Sequence, residues 1–186
     1  MQRSNTHSRL IYITGMPGVG KYTIAVALRE FGFIVCDNQL INNPIFELLG
    51  YDGYTQIPDF AWDAIERIRR VVFDFLIHTK DVDYVLTNNL NDDEGDRMLY
   101  QRVVQVAEAR GSVFIPVRLV ISKEEHLRRV TNLQRRARWK SIDPRDIEGA
   151  EKLLPITHSN LLTLDVTALS AQESAKRIVE HIRNLS

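Results

Sequence analysis

The nine residues Gly15-Met16-Pro17-Gly18-Val19-Gly20-Lys21-Tyr22-Thr23 constrain this chain more than any other stretch. They match the phosphate-loop pattern of a glycine, four residues, then Gly-Lys, and depart from it at Tyr22, where a small hydroxyl residue is expected. A β-rich run, "RLIYIT" (9–14), leads into the loop. After it Ile24, Leu28 and Phe31 recur at helical spacing, with Gly32 as the stop. That order is what phosphate binding needs. Backbone N–H groups of a glycine-rich turn can converge on an anion, and the following helix adds the positive end of its dipole. Lys21 supplies a mobile charge for the β- and γ-phosphates. The whole stretch from Gly15 to Thr23 is therefore expected to hold the nucleotide. A tyrosine hydroxyl lies too far from the backbone to replace Ser/Thr as a metal ligand, and Thr23 offers one a place later. A magnesium ion that keeps more of its water, with phosphates and a carboxylate as its other ligands, suits such a loop.

The rest of the chain alternates strand and helix patterns. Strands are expected at 33–36, 82–87, 112–121 and 160–167. A long amphipathic helix is expected over 58–79, with Ala61, Ile65, Ile68, Val72 and Phe75 on one face and Glu66/Arg70 among its outer pairs. A second covers 94–110, with Leu99, Val103 and Val106 inward and Gly111 closing it; Asp92 and Asp93 read as charges at its start. Ser122 with Glu125 and Ser170 with Glu173 have capping-box spacing, the first before Leu127, Val130 and Leu133. Such alternation predicts an α/β fold with a five-stranded parallel sheet covered by helices on both faces. Ligands of such sheets bind outside the carboxyl ends of the strands, where Gly15–Thr23, Asp37, Thr87–Asp93 and Thr167 fall.

Length and charge narrow the function. With 186 residues, 44% of them hydrophobic, the chain suits one domain, expected over 9–186 behind a mobile polar tail at 1–8. Its formal net charge of +0 gives no footprint for nucleic acid or for an anionic membrane, and no apolar run would span a bilayer. "MQRSNTHS" lacks the apolar core of a signal peptide, and the single cysteine, Cys36, suits a reducing compartment, so a cytoplasmic location is expected. The five histidines are scattered without metal-ligand spacing. Oligomeric state is left open by the sequence.

The glycine loop, "VCDNQLINNPIF" and "VLTNNLNDDEGDR" together resemble the small P-loop kinases: gluconate kinase, shikimate kinase, chloramphenicol phosphotransferase and the kinase domain of polynucleotide kinases. With "LLTLDVT" added, the chain also looks like a group of bacterial AAA-type ATP-binding proteins. The resemblance implies a three-layer P-loop NTPase fold, ATP with Mg²⁺, and transfer of the γ-phosphoryl group to a hydroxyl of a small molecule. It places Asp37 as the acidic residue that orients or deprotonates the acceptor and contributes, with Thr23, to the metal site. The alternative for Asp37 is to cap a helix starting at "DNQLINN". It implies an acceptor region over 38–80, with Asn38, Tyr54, Asn88 and Asn89 as substrate contacts, and an arginine-bearing lid over 134–158. In that lid Arg135 and Arg138 would face the nucleotide and join Lys21 and Asp37 as catalytic residues, while Arg128 and Arg129 are left to solvent. Asn88 and Asn89 stand where relatives often carry an acid, and turn formation is their alternative role. Two further readings stay open: a nucleotide-sensing regulatory protein and a kinase of polynucleotide 5′ ends.

Overall fold

In the computed structural model, residues 7–52, 55–130 and 152–185 are described. Five strands form one parallel sheet: β1 (Arg9–Thr14), β2 (Ile34–Asp37), β3 (Tyr84–Asn88), β4 (Val113–Val120) and β5 (Leu162–Asp165), in the spatial order β2-β3-β1-β4-β5. The helices are α1 (Lys21–Ala27, continued by a 3₁₀ turn to Phe31), α2 (Asn38–Leu49), α3 (Asp59–His78), α4 (Glu94–Arg110), α5 (Lys123–Val130) and α6 (Ala171–Arg183). This is the α/β arrangement that the alternation implied.

The central strand shows why the layers form. Side chains of a strand alternate between faces, so Ile11 and Ile13 enter the core under α1 and α6 while Leu10 and Tyr12 enter the core under α2, α3 and α4. All four are fully buried. At about 1.5–3 kcal/mol for each large apolar side chain removed from water, the two cores outweigh any single polar contact in the molecule.

Several boundaries differ from the sequence reading. Phe33 precedes β2 and packs under the Arg9 guanidinium, 4.9 Å from its ring, leaving Asp37 as the last strand residue. β3 ends at Asn88, one residue beyond the expected end. In α3 the inward stripe is Ala61, Ile65, Phe73 and Leu76. Ile68 and Val72 are only partly buried and Phe75 is 61% exposed. Ala61 and Ile65 face inward as expected; beyond them the stripe runs one step out of phase, with Arg69 between Ile65 and Phe73. Leu127 is likewise 43% exposed, because α5 turns His126 inward instead. α2, read as an open alternative in the sequence, is a full helix. The box at Ser170/Glu173 closes with both arms, at 3.2 and 2.8 Å. At Ser122 only the arm from Glu125 N–H forms, at 3.4 Å. The Glu125 carboxylate turns to Arg128 and Arg129 instead, since charged donors outcompete a neutral amide.

Candidate functional site

The carboxyl ends of three neighbouring strands converge. Thr14 at the end of β1 pairs in register with Asn88 of β3, and Thr87 pairs with Asp37 of β2. At about 4.8 Å per strand, Asp37 lies on the order of 10 Å across the sheet from the base of the glycine loop.

The loop is held from three sides. Gly15 has φ +144°, and a Cβ there would stand 2.8 Å from the Leu119 carbonyl oxygen, so only glycine lets β1 turn this close to β4. Gly18 and Gly20 also have positive φ. Lys21 folds back over the turn, donating from Nζ to the carbonyls of Gly15 at 2.6 Å and Met16 at 2.8 Å. These bonds hold the ammonium group within the curve of the loop, where phosphate oxygens would replace the carbonyls. Tyr22 and Thr23 occupy the first turn of α1, Tyr22 half-buried and Thr23 exposed. The third support comes from α5. His126, buried, donates from Nε2 to the Pro17 carbonyl at 2.6 Å. Arg129 donates to Val19 O at 3.2 Å and to Val166 O at 2.9 Å, while Glu125 takes its Nε–H at 2.6 Å. Arg128 is solvated as expected, with a side chain 74% exposed; Arg129 is not. Its guanidinium ties the loop to the segment after β5. Neither brace was visible in the sequence, because each donates to a backbone carbonyl far along the chain. Arg128 and Arg129 together pull the Glu125 carboxyl down to a pKa of about 2.

Asp37 is buried and caps α2, accepting the Leu40 N–H at 3.2 Å. The cap does not exclude chemistry, because a carboxylate has two oxygens and several lone pairs. Beside it the Cys36 thiol is pushed up to about 11, by burial first and by the Asp37 charge second.

Across from the loop lies a connected polar group. Asn88 donates from Nδ2 to Asn38 Oδ1 at 3.0 Å. Arg69 reaches Asn38 at 3.3 Å, Asn42 at 3.4 Å and Glu66 at 3.3 Å. Glu66 also receives Arg70 at 3.4 Å and Arg102, so three guanidiniums share one carboxylate. Thus the structure brings together Lys21, Asp37, Asn38 and Asn88 on one edge, and adds Arg69, which the sequence reading passed over. Asn89 is half-buried, with its Oδ1 buried and without a protein partner. Asp93 accepts the Asp96 N–H at 2.9 Å and starts α4, as its position suggested. Trp62 packs its edge on Phe46 at 6.0 Å and Tyr51 lies 4.9 Å from the same ring, so both serve the α2–α3 contact. Tyr54, Arg135 and Arg138 lie outside the described residues. At the far end of the expected lid region, Lys152 O accepts the Asp92 N–H at 2.6 Å and Leu154 N–H donates to Leu90 O at 3.0 Å.

Of the two residues expected to serve magnesium, Asp37 is buried at the end of β2 and Thr23 is exposed in the first turn of α1. Among the described residues no group of three or more His, Cys, Asp or Glu could hold a metal. Among the described residues no helix is long and apolar enough to cross a membrane.

No protein-family model matches the chain. An adenylyl-sulfate kinase from Bacillus pumilus is 27% identical over 188 residues, covering 98% of this chain and 88% of that protein. Among solved structures, a candidate kinase from Chloroflexus aurantiacus superposes with a TM-score of 0.70 at 17% identity, covering 98% of this chain and 100% of its own. A gluconokinase from Sinorhizobium meliloti gives 0.62 at 14% identity, with coverage of 97% and 95%. The shikimate kinase of Acinetobacter baumannii gives 0.54 at 18%, with coverage of 96% and 95%. At these identities what is shared is the fold, and over nearly the whole chain it is the fold of the small P-loop kinases.

Proposed function

We propose that the protein is a phosphotransferase that moves the γ-phosphoryl group of ATP to a hydroxyl of a small molecule. The observation that carries this reading is one sheet edge with a phosphate loop, intact but for Tyr22, at its centre and a buried carboxylate, Asp37, two strands away. Phosphoryl transfer asks a protein chiefly for positioning and charge neutralisation. The backbone of Gly15–Gly20 and the Lys21 ammonium would receive the phosphates. Magnesium, held by Asp37 and Thr23 through its remaining waters, would neutralise charge on the transferred group. Asp37 would orient the acceptor hydroxyl and take its proton. Asn38 and Asn88 would place that hydroxyl between the carboxylate and the loop, and Arg135 and Arg138 would add cationic contacts to the nucleotide. The kinase named among the sequence relatives and the gluconokinase and shikimate kinase among the structures support an alcohol acceptor. The acyclic or cyclic identity of that acceptor is a separate question.

The test is ADP release from ATP and Mg²⁺ against a panel of hydroxyl compounds. An acceptor-dependent rate that is lost in Lys21→Ala supports transfer; ATP binding with no acceptor-dependent turnover refutes it. One observation favours a second reading, a nucleotide sensor: Tyr22 replaces the usual hydroxyl residue and the amides Asn88 and Asn89 stand where an acid is common. A nucleotide-dependent thermal shift indifferent to Mg²⁺ would select the sensor.

A further inference from the structure

Eight of the eleven large apolar side chains that stay exposed among the described residues lie on β2, α2 and α3. Three of them share one flank of α3. Phe60, Val71 and Phe75, with half-buried Ala64 between, follow one another at steps of four and seven residues, which sets them in one row along a helix. This row is separate from the core face. Glu66, bonded to Arg102 of α4, lies around the far side of the helix, and Ala61, Ile65, Phe73 and Leu76 face inward between the two. The row therefore points away from α4, toward the margin of the sheet that β2 closes.

β2 extends the row. Ile34 and Cys36 stand two residues apart and so point to the same face of the sheet, where Cys36 joins the core under α2, α3 and α4. Ile34 pairs in register with Tyr84, whose hydroxyl bonds that of Thr79, one turn beyond Phe75. β2 has a strand on one side only, and Ile34 is exposed where the sheet stops. The strip thus runs the length of a 20-residue helix, about 30 Å, and continues onto the edge strand.

We propose that two copies of this chain pair through this strip, α3 against α3, antiparallel about a two-fold axis near Arg67 and Ile68. Such an interface needs a surface that complements itself when reversed. The row does so. Phe60 stands opposite Phe75 of the second copy, and Ala64 opposite Val71, so ring meets ring at each end and a small side chain faces a larger one between. The exposed charges beside the row agree: Asp63 comes level with Arg70 of the second copy, and the contact occurs twice. Arg67 meets its own copy near the axis, and Asp63, one turn away, offsets that like-charge contact.

The area suffices. Phe60 and Phe75 are 68% and 61% exposed, which at roughly 150–250 Å² for a whole phenylalanine gives roughly 200–300 Å² between them. Val71, Ala64 and Ile34 bring the strip to most of the apolar share, a little over half, of the roughly 800 Å² that each partner buries in a stable interface. The glycine loop follows β1, two strands in from β2, so pairing leaves the nucleotide side of both copies open.

The experiment is analytical sedimentation of the full chain over a wide concentration range, with circular dichroism and melting of each variant. The natural protein should sediment at twice the mass of one chain and dissociate on dilution. Val71→Glu and Phe75→Glu should each weaken the dimer about tenfold or more. Both should keep the native dichroism and a nearly unchanged melting temperature as monomers, since the side chains replaced are exposed. Leu48→Glu, on the exposed face of α2 and off the strip, should leave the dimer intact. Charge reversal reads the register: Asp63→Arg and Arg70→Asp should each weaken the dimer, and the double variant should recover it. A chain that stays single at every concentration would overturn the proposal and leave the strip to a different protein or a membrane surface. A dimer that survives both Val71→Glu and Phe75→Glu, or that Leu48→Glu disrupts as readily, would overturn it as well. No recovery in the double variant would overturn the antiparallel register.

Discussion

The two sides of the sheet edge meet their hydrogen-bonding needs differently. On the nucleotide side the polar groups described are engaged within the protein: Lys21 binds the loop's own carbonyls, His126 holds Pro17, and Arg129 spans Val19 and Val166. Across from it Arg69 makes only long bonds, and the hydroxyls of Tyr12 and Tyr100 and the Asn89 amide oxygen have no protein partner. A loop that satisfies itself is shaped before a nucleotide arrives, and binding exchanges one set of partners for another. Buried polar atoms with unmet hydrogen bonds cost about 1–3 kcal/mol each, a cost that any group meeting them would remove. The first arrangement favours a common, invariant ligand such as a triphosphate. The second favours selectivity, because a ligand lacking the right groups leaves the cost in place.

Substitutions can break that contrast. The largest effect is expected from Lys21→Ala. ATP at a hundredfold excess over Kd should stabilise the natural protein by about 2.7 kcal/mol, and differential scanning should find that shift, and all transfer, gone in the variant. Asp37→Asn comes next and separates two roles, because asparagine caps a helix as well as aspartate. Transfer should fall roughly 10²-fold or more, the usual contribution of a positioned base, while the melting temperature moves little. A large drop in melting temperature with transfer retained would make Asp37 only a cap. His126→Ala should cost about 1–3 kcal/mol in urea unfolding, since it leaves the Pro17 carbonyl without its donor, and should weaken ATP binding along with it. His126→Gln, which keeps an N–H, should recover part of both. The smallest effect is on pH. Glu125 has its pKa lowered from 4.5 to about 2, by Arg128 and then Arg129. Its contribution is present above pH 4.5 and is lost as pH falls toward 2, because the unfolded carboxyl takes its proton first. An acid titration of the melting temperature should show this slope reduced in Glu125→Gln.

Much of the fold was legible because its signals are local. The glycine loop, the strand before it and the helix after it lie within one short stretch, and Leu99, Val103 and Val106 kept their expected face. The phase of α3 was not legible in the same way. Phe75 looked like a core residue and Arg69 was passed over, yet α3 packs against α2 and α4 with Arg69 inward. A four-residue spacing, 61-65-69-73, fits the buried stripe and would have exposed an arginine in a core position. His126 and Arg129 left no comparable trace, since backbone carbonyls 109 and 110 residues away are invisible in a list of side chains. Asp37 was recognised as a pivot because it sits where a strand ends, and its other reading, as the cap of the helix that follows, is borne out.

The strand order carries a consequence for how the chain comes to its final shape. β1 precedes β2–β5 in the chain, yet its neighbours are β3 and β4, whose residues pair with it from Tyr84 and Val113 onward. During synthesis the N-terminal strand therefore waits, apolar and unpaired, until much of the chain has emerged. The turn at Gly15 leans on Leu119, near the end of β4, so the loop cannot take its form before that strand is in place. Contacts of such long sequence separation slow folding and expose sticky surface meanwhile. The glycine loop thus takes its shape late, although its residues precede in the chain the strand that shapes it.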